Sequence, residues 1–291
     1  MTASGCSRSS SCTAKKPAPY STPLRKMPEV FICSHPHTEP SYGRKRKPIG
    51  SRVRIPWNTG SYHRRKSISR SGQYLSNGTL VSDTLHFWGE YEPASEADII
   101  STSSPKAVHS KLFPVRGRGT ISRDALNTDP YVFGEHFKYI CCRMGNKKHI
   151  PGDVILFGHF VTDSVAGRLL FELDTVIVIK EVVNIDHKRN TTQYYKASIK
   201  PILGKTEYFY KGYNISEKKE YFSFVPCLIQ PNLSAIPPKP SLDLTKYGFH
   251  VKKGWYSYVA ASIPLSQEIW KQLIKDVKKA NWQIGTHIDK I

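Results

Sequence analysis

The sequence contains no run of 18 apolar residues, and this absence argues against a transmembrane helix. None of its six cysteines belongs to a C-x-x-C pair, which argues against a zinc-binding motif and against a disulfide framework. We therefore expect a reduced, cytoplasmic location. The G-x-G-x-x-G, P-loop, G-x-S-x-G and zinc-deaminase signatures are also missing, so we expect no cofactor and no metal ion.

Acidic residues are scarce in both terminal parts of the chain. The 43 Lys and Arg residues outnumber the 23 Asp and Glu residues, which gives a formal net charge of +20. Residues 1–70 contain 15 basic and two acidic residues, residues 236–291 contain nine and four, and the middle is nearly neutral. This concentrated positive charge favours a polyanionic partner, and we expect DNA. The basic segments have no amphipathic helical pattern, so a membrane partner is not expected.

The composition divides the chain into three parts. The predicted parts are a disordered basic leader (1–26), a single β-rich DNA-acting domain (27–235) with a basic arm (43–70), and a linker with a helical C-terminal element (236–291). The leader is rich in Ser and has no acidic residue, and it lacks the apolar segment of a secretory signal. Either Met1 or Met27 could be the true start. No pattern indicates an oligomeric state.

Short apolar and aromatic runs from Met27 onward are typical of strands. The strongest are DVILFGHFV (153–161) and LLFELDTVIVI (169–179), and LVSDTLHFW (80–88) follows the turn signal SNG. Near the C-terminus, apolar residues recur at helical spacing after Ser266, a favourable N-cap. We therefore expect an α+β fold, with a strand-rich curved sheet or partly open barrel and a C-terminal amphipathic helix.

The basic arm is the predicted DNA-binding segment. Residues 43–70 contain ten Lys and Arg residues and no acid, interleaved with Trp57, Tyr62 and His63. Cations neutralise phosphates, and an aromatic ring among them offers a face to an unstacked base. A solvated loop, or a segment that binds an acidic protein, would have a similar composition. The predicted phosphate contacts are Arg44, Lys45, Arg46, Lys47, Arg64, Arg65 and Lys66.

A small acidic group follows two aromatic residues in HFWGEYEP (86–93). Glu90 and Glu92 lie two positions apart, and so face the same side of an extended chain. A carboxylate beside an aromatic wall has a raised pKa, which suits acid–base chemistry or stabilisation of a cationic sugar. Both glutamates are therefore catalytic candidates, although they could instead pair with neighbouring arginines. The predicted base-stacking residues are Trp57, Trp88 and Tyr91.

Three further groups could carry chemistry. Asp174 lies inside a nearly continuous apolar run, so it is either paired structurally or a catalytic acid. Glu135 and His136 stand between two phenylalanines and could form an acid–base couple, although a histidine there is more often structural. The HPH sequence (35–37) has no identifiable third ligand, which argues against a metal site.

Six motifs occur in an order that resembles a known family. HRRKSI, GQYL, FWGEYEP, TDPYVFG, PGDVILFG and FELDTVIVI lie within about residues 27–180. Together they are similar to a poorly characterised family of bacterial and phage proteins associated with nucleotide modification and phage conflict. The resemblance implies DNA with modified bases as the target, and one activity in such systems is excision of hypermodified cytosine by a DNA glycosylase.

A second similarity is to the PUA-like barrels of the EVE and YTH type. It rests on PGDVILFGHF and on the strand pair that ends in VIVIKEVV. The likeness implies a flipped modified base held in an aromatic cage. The large basic N-terminal region departs from those barrels.

Two functions follow as expectations. The first is an antiphage enzyme that flips a modified base out of phage DNA and hydrolyses its N-glycosidic bond, with Glu90, Glu92 or Asp174 activating water or stabilising the sugar cation. The second is a reader of modified bases without catalysis. A transferase that acts on DNA is a third possibility, and the absence of a dinucleotide-binding loop counts against it.

Overall fold

Strands predominate throughout the part of the chain that the computed structural model describes. The described residues are 27–34, 53–56, 64–91, 95–101, 108–114, 130–139, 149–163, 166–185, 208–230, 237–250 and 262–289. The backbone alone is described for residues 53–56, 64–67, 90–91, 95–101 and 108–114. These ranges contain fourteen strands, arranged in two sheets, and one α-helix.

The first sheet is mixed and curled. Its strands are β1 (Glu29–Ser34), β7 (Lys138–Tyr139), β8 (Val154–Thr162), β9 (Leu169–Asn184), β10 (Tyr208–Gly212), β12 (Ser241–Leu242) and β13 (Ser262–Pro264). They are ordered β13-β1-β8-β9-β10-β7, with β12 paired to β9. The pair β1 and β8 is parallel, and the other neighbours are antiparallel.

Part of the second sheet closes into a small barrel. Its strands are β2 (Val53–Pro56), β3 (Arg64–Ser76), β4 (Thr79–Tyr91), β5 (Ser95–Ser101), β6 (Val108–Pro114), β11 (Val225–Ile229) and β14 (Gln283–Ile288). They are ordered β14-β11-β4-β3-β6-β5-β2, and β14 also pairs with β3. Strands β3, β4, β11 and β14 therefore form a closed four-stranded barrel, from which β6, β5 and β2 extend.

The long hairpin of β3 and β4 turns at Asn77 and Gly78, which have φ angles of 48° and 84°. Positive φ at both central residues matches the right-handed twist of the flanking strands, and Asn-Gly accepts it readily. The turn predicted from SNG is confirmed, as is the strand that follows it.

The central strands of the first sheet are buried on both faces. In β8, Val154 and Leu156 pack into one apolar cluster, while Ile155 and Phe157 pack into another. The second cluster also contains Phe87 of the barrel, so it joins the two sheets. Burial on both faces explains why β8 and β9 have nearly continuous apolar sequences instead of alternating ones. The predicted strand-rich α+β fold is confirmed.

The helix α1 (Gln267–Lys279) confirms the predicted C-terminal amphipathic helix. The hydroxyl oxygen of Ser266 accepts a hydrogen bond from the backbone N–H of Ile269 and caps the first turn. The buried face packs through Trp270, Leu273 and Val277 into the apolar cluster that also contains Val154 and Leu156 of β8. Beyond the predicted boundary at residue 235, β12 and β13 pair with the first sheet and β14 completes the barrel.

Candidate functional site

A β-bulge in β9 places Asp174 in an unusual position. Phe157 of β8 pairs with Thr175 and the next residue, Gly158, pairs with Leu173, so Asp174 is the extra residue of the ladder. A bulge bends its strand and redirects a side chain. Gly158 permits this close approach, because an added Cβ would lie 2.1 Å from the carbonyl oxygen of Glu172. The local sequence thus builds the bulge and buries a carboxylate there.

Asp174 is paired with Lys239 from the segment PPKP (237–240). The Nζ atom of Lys239 donates a hydrogen bond of 2.8 Å to Oδ1 of Asp174. Two neighbouring carbonyl groups hold the segment: that of Pro238 accepts from Nε1 of Trp282 at 2.8 Å, and that of Pro240 accepts from the backbone N–H of Leu173 at 2.9 Å. Proline rings also restrict the backbone on both sides. Lys239 is therefore held in one position.

Three more groups surround the amine. Nζ of Lys239 lies 3.2 Å from Oε2 of Glu172, 3.4 Å from Nδ1 of His159 and 5.2 Å from the centre of the Trp88 ring. These five residues are called the Lys239 cluster below. The side chains of Lys239 and Asp174 are 3% and 4% exposed, whereas those of His159 and Glu172 are 13% and 19% exposed. Solvent therefore reaches the cluster mainly at His159 and Glu172.

The contacts of His159 identify its tautomer. Nε2 of His159 lies 3.2 Å from Oε2 of Glu172, which as a carboxylate can only accept a hydrogen bond. A neutral ring with the proton on Nε2 satisfies this contact, and Nδ1 then presents a lone pair to the Lys239 amine. Glu172 orients the imidazole in the way that carboxylates orient histidine in many catalytic sites.

The charges in the cluster favour a cation. Among the described residues, the ammonium group of Lys239 faces two carboxylates, those of Glu172 and Asp174. The ring face of Trp88 adds a further favourable contact for positive charge. This environment can hold an ammonium, accept its proton on His159, and stabilise positive charge that develops on a bound molecule.

The strand register brings residues 64–66, near the end of the basic arm, to the same region. In the ladder between β3 and β4, Ser67 is opposite Trp88, and Lys66 is opposite Gly89. The backbone of Arg65 is directly opposite that of Glu90. At about 3.3 Å per residue, the backbone of Arg64 lies about 10 Å along β3 from the position opposite Trp88. The β3–β4 ladder therefore connects the predicted phosphate-binding residues with Trp88, which forms one side of the Lys239 cluster.

The structure brings together two of the predicted site residues, Trp88 and Asp174, through Lys239. Trp88 is 4% exposed, so stacking on a base would require the segment that carries Lys239 to move. Glu90 and Tyr91 end β4, and Arg64, Arg65 and Lys66 begin β3. Six predicted residues lie outside the described ranges: Trp57, Glu92, Arg44, Lys45, Arg46 and Lys47. Their assignments and the catalytic and stacking roles stay predictions.

Sequence reasoning missed Lys239, His159 and Glu172 as members of the site. Lys239 lies 65 residues after Asp174, and no local spacing connects them. A signal was available in the segment itself, because a lone lysine among prolines is rigidly presented. Glu172 and His159 face each other across the β8–β9 ladder, which a correct strand pairing would have revealed.

The predicted Glu135–His136 couple lies in a different environment. Nε2 of His136 is 3.6 Å from Oε1 of Glu135, and Nδ1 is 3.6 Å from Oε2 of Glu217. Burial lowers the pKa of His136, and the nearby Lys211 lowers it further, although both glutamates oppose this. Glu135 is 77% exposed, so the group resembles a surface charge network more than an enclosed site.

Other candidate sites are weaker. A polar groove of about 510 Å³ is lined by residues of β3, β4 and β14, among them Gln73, Asp83 and His287, and its lining contains no member of the Lys239 cluster. Within the described ranges, no three His, Cys, Asp or Glu residues are placed to hold a metal ion. His35 and His37 lie outside those ranges. No helix among the described residues is long and apolar enough to cross a membrane.

Comparisons with protein-family models, with curated proteins and with solved structures gave no match. The function therefore has to be argued from the site itself, since a fold alone does not specify one.

Proposed function

We propose that the protein binds DNA through its basic segments and releases a modified base by breaking the N-glycosidic bond, with the Lys239 cluster as the reaction centre. The observation that carries the proposal is the enclosed amine of Lys239, which is in contact with a carboxylate, a histidine and an aromatic ring at once. Nucleophile, base and anion within one group of contacts are typical of catalytic sites.

Charge supports DNA as the partner. The net charge of +20 comes mainly from the two ends of the chain, and β3 begins with Arg64, Arg65 and Lys66. Contacts from such residues position a nucleic-acid backbone. The ladder register places these residues one to three positions from the residue opposite Trp88. A DNA strand bound along β3 would lie beside the Lys239 cluster.

The chemistry of the cluster suits cleavage of an N-glycosidic bond. The sugar becomes positively charged as the base leaves, and the two carboxylates beside the Lys239 amine favour that charge. Asp174 stabilises this cation, and Glu90 and Glu92 act as further acids. A hypermodified cytosine in phage DNA is the proposed target, as the family resemblance implies.

Base release from DNA tests the proposal. The purified protein is incubated with a duplex that contains glucosylated 5-hydroxymethylcytosine and, separately, with an unmodified duplex of the same sequence. We expect free modified base, detected by mass spectrometry, and abasic sites in the first duplex alone. Folded protein that binds the modified duplex and leaves every base attached would overturn the proposal.

One observation favours a second function, that of a reader of modified bases without catalysis. Lys239 and Asp174 are both almost fully buried and satisfy each other, as a structural ion pair does. A reader predicts that Lys239→Arg, which keeps this positive charge, binds the modified duplex like the wild type and that neither protein releases base. The same two duplexes therefore separate the two functions.

A further inference from the structure

The arrangement of Lys239, His159 and Glu172 indicates a particular kind of base release, and this inference rests on the function proposed above. We infer that the Lys239 amine is the nucleophile, so that the protein forms a covalent imine with the sugar and acts as a glycosylase with lyase activity. Lysine amines form such imines with carbonyl-type carbon atoms. Water would then be needed only to release the product.

A base lies beside the proposed nucleophile. The amine lies 3.4 Å from Nδ1 of His159, and Nε2 of the same ring lies 3.2 Å from Glu172. The proposed nucleophile therefore contacts the base, and the base contacts the carboxylate that orients it. His159 has direct contact with the nucleophile, whereas Glu172 acts on it through the orientation of the imidazole and is a positioning residue.

Asp174 lies beside the proposed nucleophile. Its Oδ1 accepts a hydrogen bond from Lys239 at 2.8 Å, and the side chain is 4% exposed. The carboxylate therefore contacts the amine directly, and it would stabilise the sugar cation that forms next to the amine.

The proposed step balances without an oxidant or a reductant. Lys239 begins as an ammonium with three protons, and the first passes to Nδ1 of His159. The amine then bonds to C1′ while the C1′–N bond breaks, and the departing base keeps the electron pair and takes the proton from His159. The second proton moves to O4′ as the C1′–O4′ bond breaks, and the third stays on the imine nitrogen.

Strand cleavage and release follow from this intermediate. His159, neutral again, takes a proton from C2′, and the C3′–O3′ bond breaks with its electron pair remaining on O3′ as part of the leaving phosphate ester, which cuts the DNA strand on the 3′ side of the sugar. Water then hydrolyses the imine and regenerates Lys239. A hydrolase that uses water directly would leave an intact strand with an abasic site.

The test is reduction of the imine with sodium borohydride, which converts it to a stable secondary amine. The wild type is incubated with the modified duplex, and with a duplex that carries a preformed abasic site, in the presence of the reagent. We expect a covalent protein–DNA adduct with both duplexes, assigned to Lys239 by peptide mass spectrometry, and strand cleavage without added alkali when the reagent is omitted.

The matched variants are Lys239→Arg and Lys271→Arg. Arginine keeps the positive charge beside Asp174 and cannot form this imine, so we expect at least a 100-fold loss of adduct at unchanged folding, checked by thermal unfolding. Lys271 is exposed on α1, and its substitution should leave the yield unchanged. An adduct at another lysine, or an undiminished adduct in Lys239→Arg, would overturn the inference.

The two proposals fail in different ways. Base release without any adduct would overturn the lysine nucleophile and leave the glycosylase in place with water as the nucleophile. If the modified duplex releases no base and neither duplex gives an adduct, both proposals are wrong. An adduct with the abasic duplex alone supports the nucleophile and contradicts the proposed base release.

Discussion

The Nζ atom of Lys239 lies 2.8 Å from Oδ1 of Asp174, and both side chains are almost completely buried. The two residues come from separate parts of the chain and meet at a bulge in β9. A buried pair of this kind costs desolvation energy, and loss of one partner leaves an uncompensated charge. This relationship makes the site open to direct tests of stability as well as of activity.

Removing one partner of the buried pair should destabilise the fold strongly. We expect Asp174→Leu and Lys239→Met each to lower the free energy of unfolding by about 3–5 kcal/mol, because each leaves a buried charge. The double variant should lose much less than the sum. Urea unfolding measures all three. Strictly additive losses would show that the two charges are not coupled.

An exposed ion pair serves as the control for this cycle. Nζ of Lys211 lies 3.1 Å from Oε1 of Glu181, and these side chains are 23% and 47% exposed. Solvent screens such a pair, so Lys211→Met and Glu181→Leu should show a coupling of no more than about 1 kcal/mol.

Gly158→Ala should disrupt the bulge that positions Asp174. The added methyl group would lie 2.1 Å from the Glu172 carbonyl oxygen and 2.7 Å from Cε1 of Phe171, so the two strands must separate. We expect the free energy of unfolding, measured in urea, to decrease by about 1–3 kcal/mol. Thr162→Ala, at an exposed position of the same strand, should change stability by no more than about 0.5 kcal/mol. Wild-type stability of Gly158→Ala would mean that the bulge is not tightly packed.

Trp282→Phe should loosen the segment that holds Lys239. The variant lacks the 2.8 Å hydrogen bond from Nε1 to the Pro238 carbonyl oxygen. Because a small displacement of a reacting group can reduce a rate by about 100-fold, we expect slower reaction at Lys239 in this variant. The rate of borohydride trapping measures this effect. Trp270→Phe is the control, since Trp270 packs against Tyr221, Phe222 and Phe224. Equal losses of activity in the two variants would point to a general packing defect.

Acid should destabilise the protein through His86. Burial lowers the pKa of His86 below its usual value of 6.5, although Asp83 opposes this shift. The folded state therefore binds fewer protons than the unfolded state, so this contribution to stability is complete above pH 6.5 and decreases as the pH falls toward the lowered pKa. His86→Gln, which has no titrating group, should reduce the decline in stability between pH 7.5 and pH 5. Thr84→Ala, on the same strand, should keep the wild-type decline. An unchanged slope in His86→Gln would argue against a proton-linked role.

DNA binding should depend steeply on salt if the start of β3 contacts phosphates. Replacing Arg64, Arg65 and Lys66 together with glutamine removes up to three such contacts. The slope of log affinity against log salt should then become less steep by up to about 2.7, at about 0.9 for each contact. Fluorescence anisotropy with a labelled duplex measures the slope. The same change at Lys271, Lys275 and Lys278, which are exposed on α1, should have a smaller effect. Equal effects in the two triple variants would show that β3 is not the contact surface.

Local patterns in the sequence were sufficient for many of the elements. The SNG turn, the apolar runs of β8 and β9, and the helix that follows Ser266 were predicted and are confirmed. Each of these depends on neighbouring residues: backbone preference in the turn, continuous burial in the strands, and helical spacing with a capping hydroxyl. The closure of β3, β4, β11 and β14 into a barrel depends on pairing over long separations, which no local pattern contains.

By itself, the sequence determined the strand-rich class, the terminal helix and the uneven positive charge, because these properties follow from composition and from short-range periodicity. It also indicated that Asp174, a carboxylate in an apolar strand, is either paired structurally or a catalytic acid. The tertiary structure alone decided that this partner is Lys239, with His159, Glu172 and Trp88 around the same amine. The physical reason is that a bulge in β9 and a proline-rich segment 65 residues later are brought together only by the long-range pairing of the first sheet, and Trp88 comes to them from the barrel.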